Sequence, residues 1–343
     1  MHSVGTGRSR ADLACQVDRS GPKYYEEVKC VSVLEVGDNL FALDLFEDGH
    51  PFRTSAYVIR GPEPTLIETG SSASHASLLG GLQALGYEPD DIRHVIVTHV
   101  HLDHAGGAGM FMEVAPHAIL HAHPKGARHL IDPGRLEEGV RAVYGDVMDT
   151  LYGAIIAVPS HRVRIQEDLS TLDLGEGRVL TFYDSPGHAK HHFCVWDNVT
   201  RGIFSGDTIG IHYRQAGTGW DFDYGFPTTS PSDFDPDVML KTLDRLEALE
   251  PEVVYHTHFG PTRPAADAFL FSRKGIRAIQ AMIARLSDDA TPETAAIMLR
   301  AYLIHDMIEG GHRVPSLDPL ALDINLDSQG MIVYMQKKKA GKL

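Results

Sequence analysis

Short apolar runs alternate with turn-rich segments along most of the chain, and a helical pattern follows them. Runs rich in β-branched and aromatic residues, bounded by Gly, Pro, Asp or Asn, are typical of strands. Helices are predicted where Leu and other apolar residues recur at helical spacing. Paired strands are predicted at 28–45, 54–69, 172–183 and 193–204, and helices at 75–86, 236–249, 265–286, 292–308 and within 318–339. This order predicts an α/β protein that ends in helices.

Three segments depart from the alternation of strands and helices. Residues 1–24 are polar and rich in Gly, Ser and Arg, which predicts a flexible lead-in. Residues 124–165 interrupt the strands with mixed helix and loop, residues 208–234 are predicted to be a loop rich in aromatic residues, and we expect both to cover a pocket. The predicted organisation is therefore the lead-in, a main domain at 25–263 and a helical extension at 264–343.

The composition of the chain argues against nucleic-acid and membrane partners. The net charge of −15 opposes a sequence-independent hold on phosphate backbones, so we expect no nucleic-acid partner. Three cysteines without a spacing pattern indicate no disulfide framework and a reducing compartment. The first residues lack the apolar core of a secretory signal, and no stretch reaches the roughly 18 apolar residues of a membrane span. The sequence thus predicts a cytoplasmic protein with no membrane partner.

The highest density of potential metal-binding side chains follows the predicted strand at 93–98, which is rich in β-branched residues. His99, His101, Asp103 and His104 place four nitrogen or oxygen donors within six residues. With 20 histidines in 343 residues, a His-x-His pair alone is expected by chance roughly once. The added Asp and His at fixed offsets reduce the chance expectation by roughly a hundredfold. Imidazole and carboxylate suit zinc and its first-row neighbours, so the stretch predicts a metal site.

Four stretches together resemble the signatures of one family, the metallo-β-lactamase superfamily of hydrolases. They are HVHLDH before AGG, SPGH at 185–188, SGD at 205–207 and THFGP at 257–261, in the family's order. The resemblance implies a four-layer αβ/βα sandwich, here with a C-terminal helical appendage. It implies two metal sites, with His99, His101 and His188 on the first metal, Asp103, His104 and His258 on the second, and Asp207 between them.

The same resemblance implies a mechanism. Two divalent ions would share a water and lower its pKa towards roughly 7, and the resulting hydroxide would attack an ester, lactone or thioester carbonyl. Zinc is the expected metal, and manganese, iron or cobalt suit the same ligands. By family analogy Asp103 also hydrogen-bonds the hydroxide, and Asp207 bridges the metals. Tyr213, six residues past Asp207, is the candidate for oxyanion support. Glu68 stands where the family usually has Asp, and could orient a ligand imidazole.

Spacing in the sequence alone does not decide which of several neighbouring histidines is the metal ligand. His191 and His192 follow His188 at once, and only the Pro-Gly turn and the family pattern favour His188. His256 lies on the same strand face as His258. The pair at 121 and 123 lacks the Asp-His continuation, so we expect it to lie outside the ligand set.

The sequence also leaves more than one substrate and reaction class open. The aromatic residues of 208–234 favour a small molecule with an apolar or aromatic acyl group. A glyoxalase II-like thioesterase and a mononuclear iron sulfur dioxygenase are the alternatives to a lactonase or esterase. The C-terminal helices could close the pocket or form a homodimer interface.

Overall fold

The computed structural model describes residues 32–342 except 230, 232 and 315, so the predicted lead-in at 1–24 lies outside the described residues. Two mixed β-sheets carry the fold. The first sheet holds seven strands in chain order. They are β1 (Val33–Gly37), β2 (Leu40–Asp44), β3 (Ser55–Ile59), β4 (Thr65–Ile67), β5 (His94–Ile96), β6 (Ile119–Ala122) and β7 (Val163–Ile165). Neighbours are antiparallel from β1 to β4 and parallel from β4 to β7.

The second sheet has six strands and a small two-stranded ribbon nearby. The strands of this part are β8 (Thr171–Asp173), β9 (Val179–Asp184), β10 (Phe193–Asp197), β11 (Gly202–Gly206), β12 (Ile211–Tyr213), β13 (Tyr224–Phe226), β14 (Val253–His256) and β15 (Gly260–Thr262). The sheet order is β15-β14-β11-β10-β9-β8, and β12 pairs with β13. β11 and β14 run parallel, so their carboxyl ends meet at one edge.

Helices cover the outer faces of both sheets. They are α1 (His75–Ala84), α2 (Leu102–Ala105), α3 (Ala108–Val114), α4 (Ala127–Ile131), α5 (Gly134–Tyr144), α6 (Met148–Tyr152), α7 (Gln215–Thr218), α8 (Pro236–Glu247), α9 (Ala265–Ile283), α10 (Pro292–Glu309) and α11 (Ala321–Lys339). None of the helices in the described part of the chain combines the length and apolar content that a bilayer span requires.

Strand alternation builds the layers. Successive side chains of a strand point to opposite faces, so Ala42 enters the core between the sheets while Leu43 packs beneath α1. Tyr57 and Phe204 meet edge to face between the sheets, with ring centroids 5.2 Å apart. The layers run helix, sheet, sheet, helix, which confirms the predicted four-layer sandwich and its helical C-terminal region.

The aromatic residues of the segment at 208–234 depart from the sequence prediction, although Ile211, Thr228 and Thr229 of the same segment line a cavity. The sequence predicts a loop whose aromatic side chains overhang the site, whereas the segment forms the ribbon of β12 and β13 with α7. Trp220, Phe222 and Tyr224 are buried in the core that the C-terminal helices complete, because those helices offer apolar partners such as Leu303. These aromatic residues therefore anchor the helical region and do not line the main cavity.

Candidate metal centre

All seven predicted ligands follow the ends of strands. His99 and His101 come after β5, and Asp103 and His104 lie on the short helix α2 that continues it. His188 follows β9, Asp207 follows β11, and His258 follows β14. Strand ends from both sheets meet here, so residues about 160 positions apart in sequence become neighbours.

Two glycines in the signatures are required because neighbouring atoms lie too close to their Cα atoms to leave room for a side chain. Gly206 has φ +49, and a Cβ there would lie 2.5 Å from Thr98 Oγ1 and 2.6 Å from His192 Nε2. Gly187 has φ +132, and a Cβ there would lie 2.4 Å from the Cα of Met239. A side chain at either position would displace the ligand that follows it.

The structure brings together the residues of the first predicted ligand group. His99 Nε2 lies 2.9 Å from His101 Nδ1, and His188 Nε2 lies 3.1 Å from the same atom. Asp207 Oδ2 lies 3.4 Å from His188 Nε2. One ligand atom from each of these four residues falls within 4.8 Å of all the others.

The second group adjoins the first through Asp207. His258 Nε2 lies 3.2 Å from both Asp103 Oδ2 and His104 Nε2. Asp207 turns its other oxygen, Oδ1, to this group, 3.2 Å from His104 Nε2 and 3.6 Å from His258 Nε2. The two oxygens of one carboxylate thus face two separate sets of donors.

The chemistry of this donor set fits divalent cations. Asp207 Oδ1 is buried and has no hydrogen-bond partner among the described residues, an arrangement that is costly unless a cation compensates it. Burial lowers the pKa of His99 and His101 well below its ordinary value, and neighbouring imidazoles lower it further. Neutral imidazoles keep a lone pair for a metal. The residues present therefore fit a metal in each group.

Negative charge concentrates around the second group. Burial acts to lower the pKa of His104, but Asp207, Asp103 and Glu68 together raise it well above its ordinary value. Burial acts to raise the pKa of Asp207, but His104, His188 and His258 hold it well below its ordinary value. The lowered pKa values of Asp207 and Asp103 keep these two carboxylates ionised, so they favour positive charge at this place, which a cation supplies.

Neighbouring side chains orient the ligand imidazoles. Glu68 Oε1 accepts a hydrogen bond from His104 Nδ1 at 3.2 Å and another from Thr98 Oγ1. Thr98 Oγ1 also lies 3.1 Å from His99 Nδ1, so Glu68 acts on both groups. On the other side, His258 Nδ1 lies 2.9 Å from the Arg53 carbonyl oxygen. Such partners fix the ring orientation and raise the basicity of a ligand.

His191 and His192, which spacing could not distinguish from His188 as ligands, contact atoms outside the two ligand groups. His192 Nε2 lies 3.3 Å from the Asp207 amide nitrogen, and its Nδ1 lies 3.2 Å from Thr208 Oγ1. His191 Nδ1 lies 3.5 Å from the amide nitrogen of Val100. These contacts leave His188 as the histidine of the SPGH turn that faces both His101 and Asp207.

Three further histidines from His-x-His pairs, His121, His123 and His256, also lie outside the two ligand groups. His256 bonds the Gly210 carbonyl at 2.9 Å and Thr262 Oγ1 at 3.0 Å. His121 Nε2 lies 3.0 Å from His94 Nδ1, and His123 Nε2 lies 2.8 Å from Asp184 Oδ1. Each is held by a neighbour that a strand places beside it.

Tyr213, the candidate for oxyanion support, is buried on β12. Burial raises the pKa of its hydroxyl well above the ordinary value, and Asp323, within hydrogen-bonding reach, raises it further. Tyr213 lines a smaller cavity beside His258 and is not among the residues of the main cavity. Its catalytic role stays a prediction.

A cavity of about 320 Å³ opens in front of both groups. Its floor includes the ligands His101, Asp103, His188, Asp207 and His258. Its walls are largely apolar, from α5, α6 and α11: Leu136, Val140, Val143, Tyr144, Leu151, Tyr152, Leu322 and Leu326. The sequence predicts the 124–165 segment as a pocket cover and leaves open whether the C-terminal helices close the pocket; Leu322 and Leu326 of α11 line its wall.

Two polar residues of the cavity carry no signal in the sequence. Glu47 and Arg53 come from the connection between β2 and β3, and both line the cavity. Arg53 Nη2 lies 2.9 Å from Asp323 Oδ1 on α11, which joins this connection to the C-terminal helix. No motif marks either residue, since their role depends on packing between distant segments.

Comparison with known proteins agrees with this geometry. The family model of the metallo-beta-lactamase superfamily matches residues 49–258. A metallo-beta-lactamase fold-containing protein of Sulfurisphaera tokodaii is 28% identical over 219 residues, which cover 62% of this chain and 76% of that protein. The Homo sapiens acyl-coenzyme A thioesterase MBLAC2 is 28% identical over 200 residues, which cover 51% of this chain and 64% of that protein.

Solved structures share the fold. An archaeal metallo-beta-lactamase superfamily protein from Sulfolobus tokodaii superposes with a TM-score of 0.59 at 22% identity, covering 86% of this chain and 98% of that chain. A metallo-beta-lactamase family protein from Thermus thermophilus gives a TM-score of 0.62 at 20% identity, covering 88% and 94%. Because the family model matches most of the chain and the four signatures meet in one site, the chain belongs to the metallo-beta-lactamase superfamily.

Proposed function

We propose that this protein is a dinuclear metal-dependent hydrolase of carboxylic esters, lactones or thioesters. The observation that carries the proposal is the orientation of Asp207. Its Oδ2 faces His188 at 3.4 Å, and its Oδ1 faces His104 at 3.2 Å. A carboxylate between two sets of nitrogen donors is what a shared ligand of two cations requires.

The proposed roles follow from the contacts of each side chain. Divalent cations bound to the two groups would activate a water as nucleophile and polarise a carbonyl oxygen. Asp103 lines the cavity, so its carboxylate can accept a hydrogen bond from the attacking water. Glu68 and the Arg53 carbonyl hold the imidazoles of His104 and His258 in place. Zinc is the first candidate metal, and manganese, iron and cobalt suit the same donors.

The cavity walls support an apolar acyl group as substrate. Val140 and Leu151 belong to the helices α5 and α6, and Leu322 to α11, and all face the same cavity. A volume of about 320 Å³ suits a small molecule. Apolar walls next to polar ligands favour an acyl chain attached to a carbonyl at the metal centre.

Thioester hydrolysis is the second candidate. It is favoured by the likeness to the acyl-coenzyme A thioesterase MBLAC2, of which the chain spans slightly under two-thirds. The third candidate, a mononuclear iron sulfur dioxygenase, needs one metal, whereas seven donors form two groups here. Two groups favour the hydrolase.

Metal analysis and a substrate panel test this proposal. We expect about two divalent ions per chain, and turnover of at least one class among lactones, aryl esters and thioesters of increasing chain length. One iron per chain with oxygen uptake on a persulfide would contradict it and support the dioxygenase. The predicted cytoplasmic location and homodimer stay predictions.

Substitution of single ligands sharpens the test. Asp207→Ala and His188→Ala should each lower kcat/KM by more than about 100-fold and lower metal content, because a ligand matters at least as much as the partners that orient it. His121→Gln is the matched control, since His121 bonds His94 outside the ligand groups and should keep both metals. Unchanged turnover in either ligand variant would refute the assignment.

A further inference from the structure

Glu47 is a buried carboxylate in the wall of the main cavity. Its side chain shares that wall with Arg53 and Thr54, and the metal ligands Asp103 and His258 line the same cavity. Only 5% of Glu47 is exposed. Both carboxylate oxygens are buried and have no hydrogen-bond partner among the residues the structure describes. An acceptor that is buried in this way costs free energy unless something donates to it.

The turn around Glu47 is held rigidly. Asp44 accepts hydrogen bonds from the backbone nitrogens of Phe46, at 3.1 Å, and Phe52, at 2.9 Å. Phe46 and Asp48, on either side of Glu47, both have positive φ, 48° and 51°. Non-glycine residues seldom adopt this conformation, and it persists only where surrounding contacts impose it. The turn therefore fixes Glu47 in the cavity wall.

The nearest donors of the protein leave Glu47 short of partners. The Arg53 guanidinium makes two contacts with Asp323, at 2.9 and 3.5 Å. Thr54 Oγ1 lies 3.2 Å from His258 Nδ1, and the Thr54 hydroxyl also lowers the pKa of Glu47, but its single proton can serve only one carboxylate oxygen. At least one oxygen of Glu47 therefore stays available in the wall of a cavity that a substrate would fill.

We propose that Glu47 is a specificity-determining residue that accepts a hydrogen bond from a hydroxyl or ammonium group on the substrate, close to the carbonyl that is hydrolysed. The inference rests on the proposed hydrolase function and narrows its substrate class. The substrate combines an apolar chain against α5 and α6 with a donor near the reacting carbon. Burial and then Asp103 raise the pKa of Glu47 to about 7, against the influence of Thr54, His258 and Arg53. The assays are run at pH 8.

The test compares matched phenyl esters with the zinc-loaded protein. Each pair consists of phenyl butanoate and one of its derivatives, which carries a hydroxyl or an amino group at C2 or C3. We expect kcat/KM to be about 10- to 100-fold higher for at least one derivative, the usual value of a hydrogen bond to a charged group. Glu47→Leu should abolish that preference, so that the ratio of kcat/KM between the substituted and the unsubstituted ester falls to about 1. The hydroxyl and amino arms distinguish the two kinds of donor.

Two further measurements separate this role from a structural one. Glu47→Leu should raise the thermal midpoint, because it removes a buried acceptor without a partner. Asp48→Asn, which removes an exposed charge from the same turn, should change both members of each pair equally. Loss of stability in Glu47→Leu with the preference unchanged, or no preference in the wild type, would overturn the proposal.

A binding measurement keeps the inference separate from the proposed reaction. Calorimetry compares butanoate with its 2- and 3-hydroxy and amino derivatives on wild type and on Glu47→Leu. If no ester is hydrolysed but a derivative binds about tenfold more tightly to wild type alone, the hydrolase proposal fails and the role of Glu47 stands. Hydrolysis with equal binding of all ligands to both proteins would instead support the hydrolase and overturn the role of Glu47.

Discussion

Single residues at this site act through what they touch, and Glu68 is the clearest case. Its backbone has φ +66 at the end of β4, and its side chain is fully buried. Oε1 accepts from His104 Nδ1 and from Thr98, which in turn contacts His99. The methylene by which Glu exceeds the family's usual Asp does not prevent these contacts. Glu68 therefore supports one ligand of each group.

Glu68→Gln should weaken metal binding by about 10- to 100-fold without removing a ligand, because the amide cannot supply the charge that orients and polarises His104. Zinc titration against a competing chelator measures the change. Glu63→Gln is the control, since Glu63 is more exposed and lies 3.6 Å from His94, outside both ligand groups. Equal affinities of Glu68→Gln and wild type would mean that Glu68 has no such role.

At the scale of elements, the connection between β2 and β3 does more than join two strands. Its Asp44 is 2% exposed and accepts two backbone hydrogen bonds that shape the turn carrying Glu47. Burial raises the pKa of Asp44 to about 6 from 3.8, although the backbone bonds of Phe52 and Phe46 lower it. The turn therefore contains a carboxyl group that resists ionisation.

The shifted pKa of Asp44 predicts the sign of a pH effect on stability. Between about pH 4 and pH 6 the folded state binds more protons at Asp44 than the unfolded state, so this contribution to stability falls as pH rises through that window. Asp44→Asn should lose less stability than wild type from pH 4 to pH 7, by up to about 3 kcal/mol. Urea unfolding of both metal-free proteins measures it.

The control for this experiment is Asp38→Asn, which removes an exposed carboxylate from the neighbouring turn. It should keep the pH dependence of wild type. If Asp44→Asn also kept that dependence, the carboxyl of Asp44 would titrate at the same pH in the folded and unfolded states.

For the whole molecule, the candidate metal centre lies where the two sheets and the C-terminal helix meet. The candidate ligands follow strands of both sheets, and Arg53 at the cavity links to Asp323 on α11. The buried carboxylate of Asp207 and the half-buried carboxylate of Asp103 belong to this junction. Cations there would stabilise the global fold as well as the reaction.

Chelation should therefore lower the melting temperature, by about 5–15 °C, because each tightly bound ion adds several kcal/mol to the stability of the folded state. Differential scanning calorimetry with EDTA and then with zinc restored measures the shift. The Asp207→Ala variant should show a smaller shift than wild type. Identical melting curves with and without chelator would contradict cation binding at this junction.

The sequence by itself determined the local part of this protein. Strands and hairpins follow from short-range alternation, and the seven candidate ligand positions follow from signatures whose spacing is set by single strand-to-turn connections. Tertiary structure decided what depends on packing between distant segments. Only the fold shows that His188 and His258 face the site while His192 and His256 bond neighbouring atoms. Only the fold brings Glu47 and α11 to the cavity, because burial and the loss of water partners arise when separate segments come together.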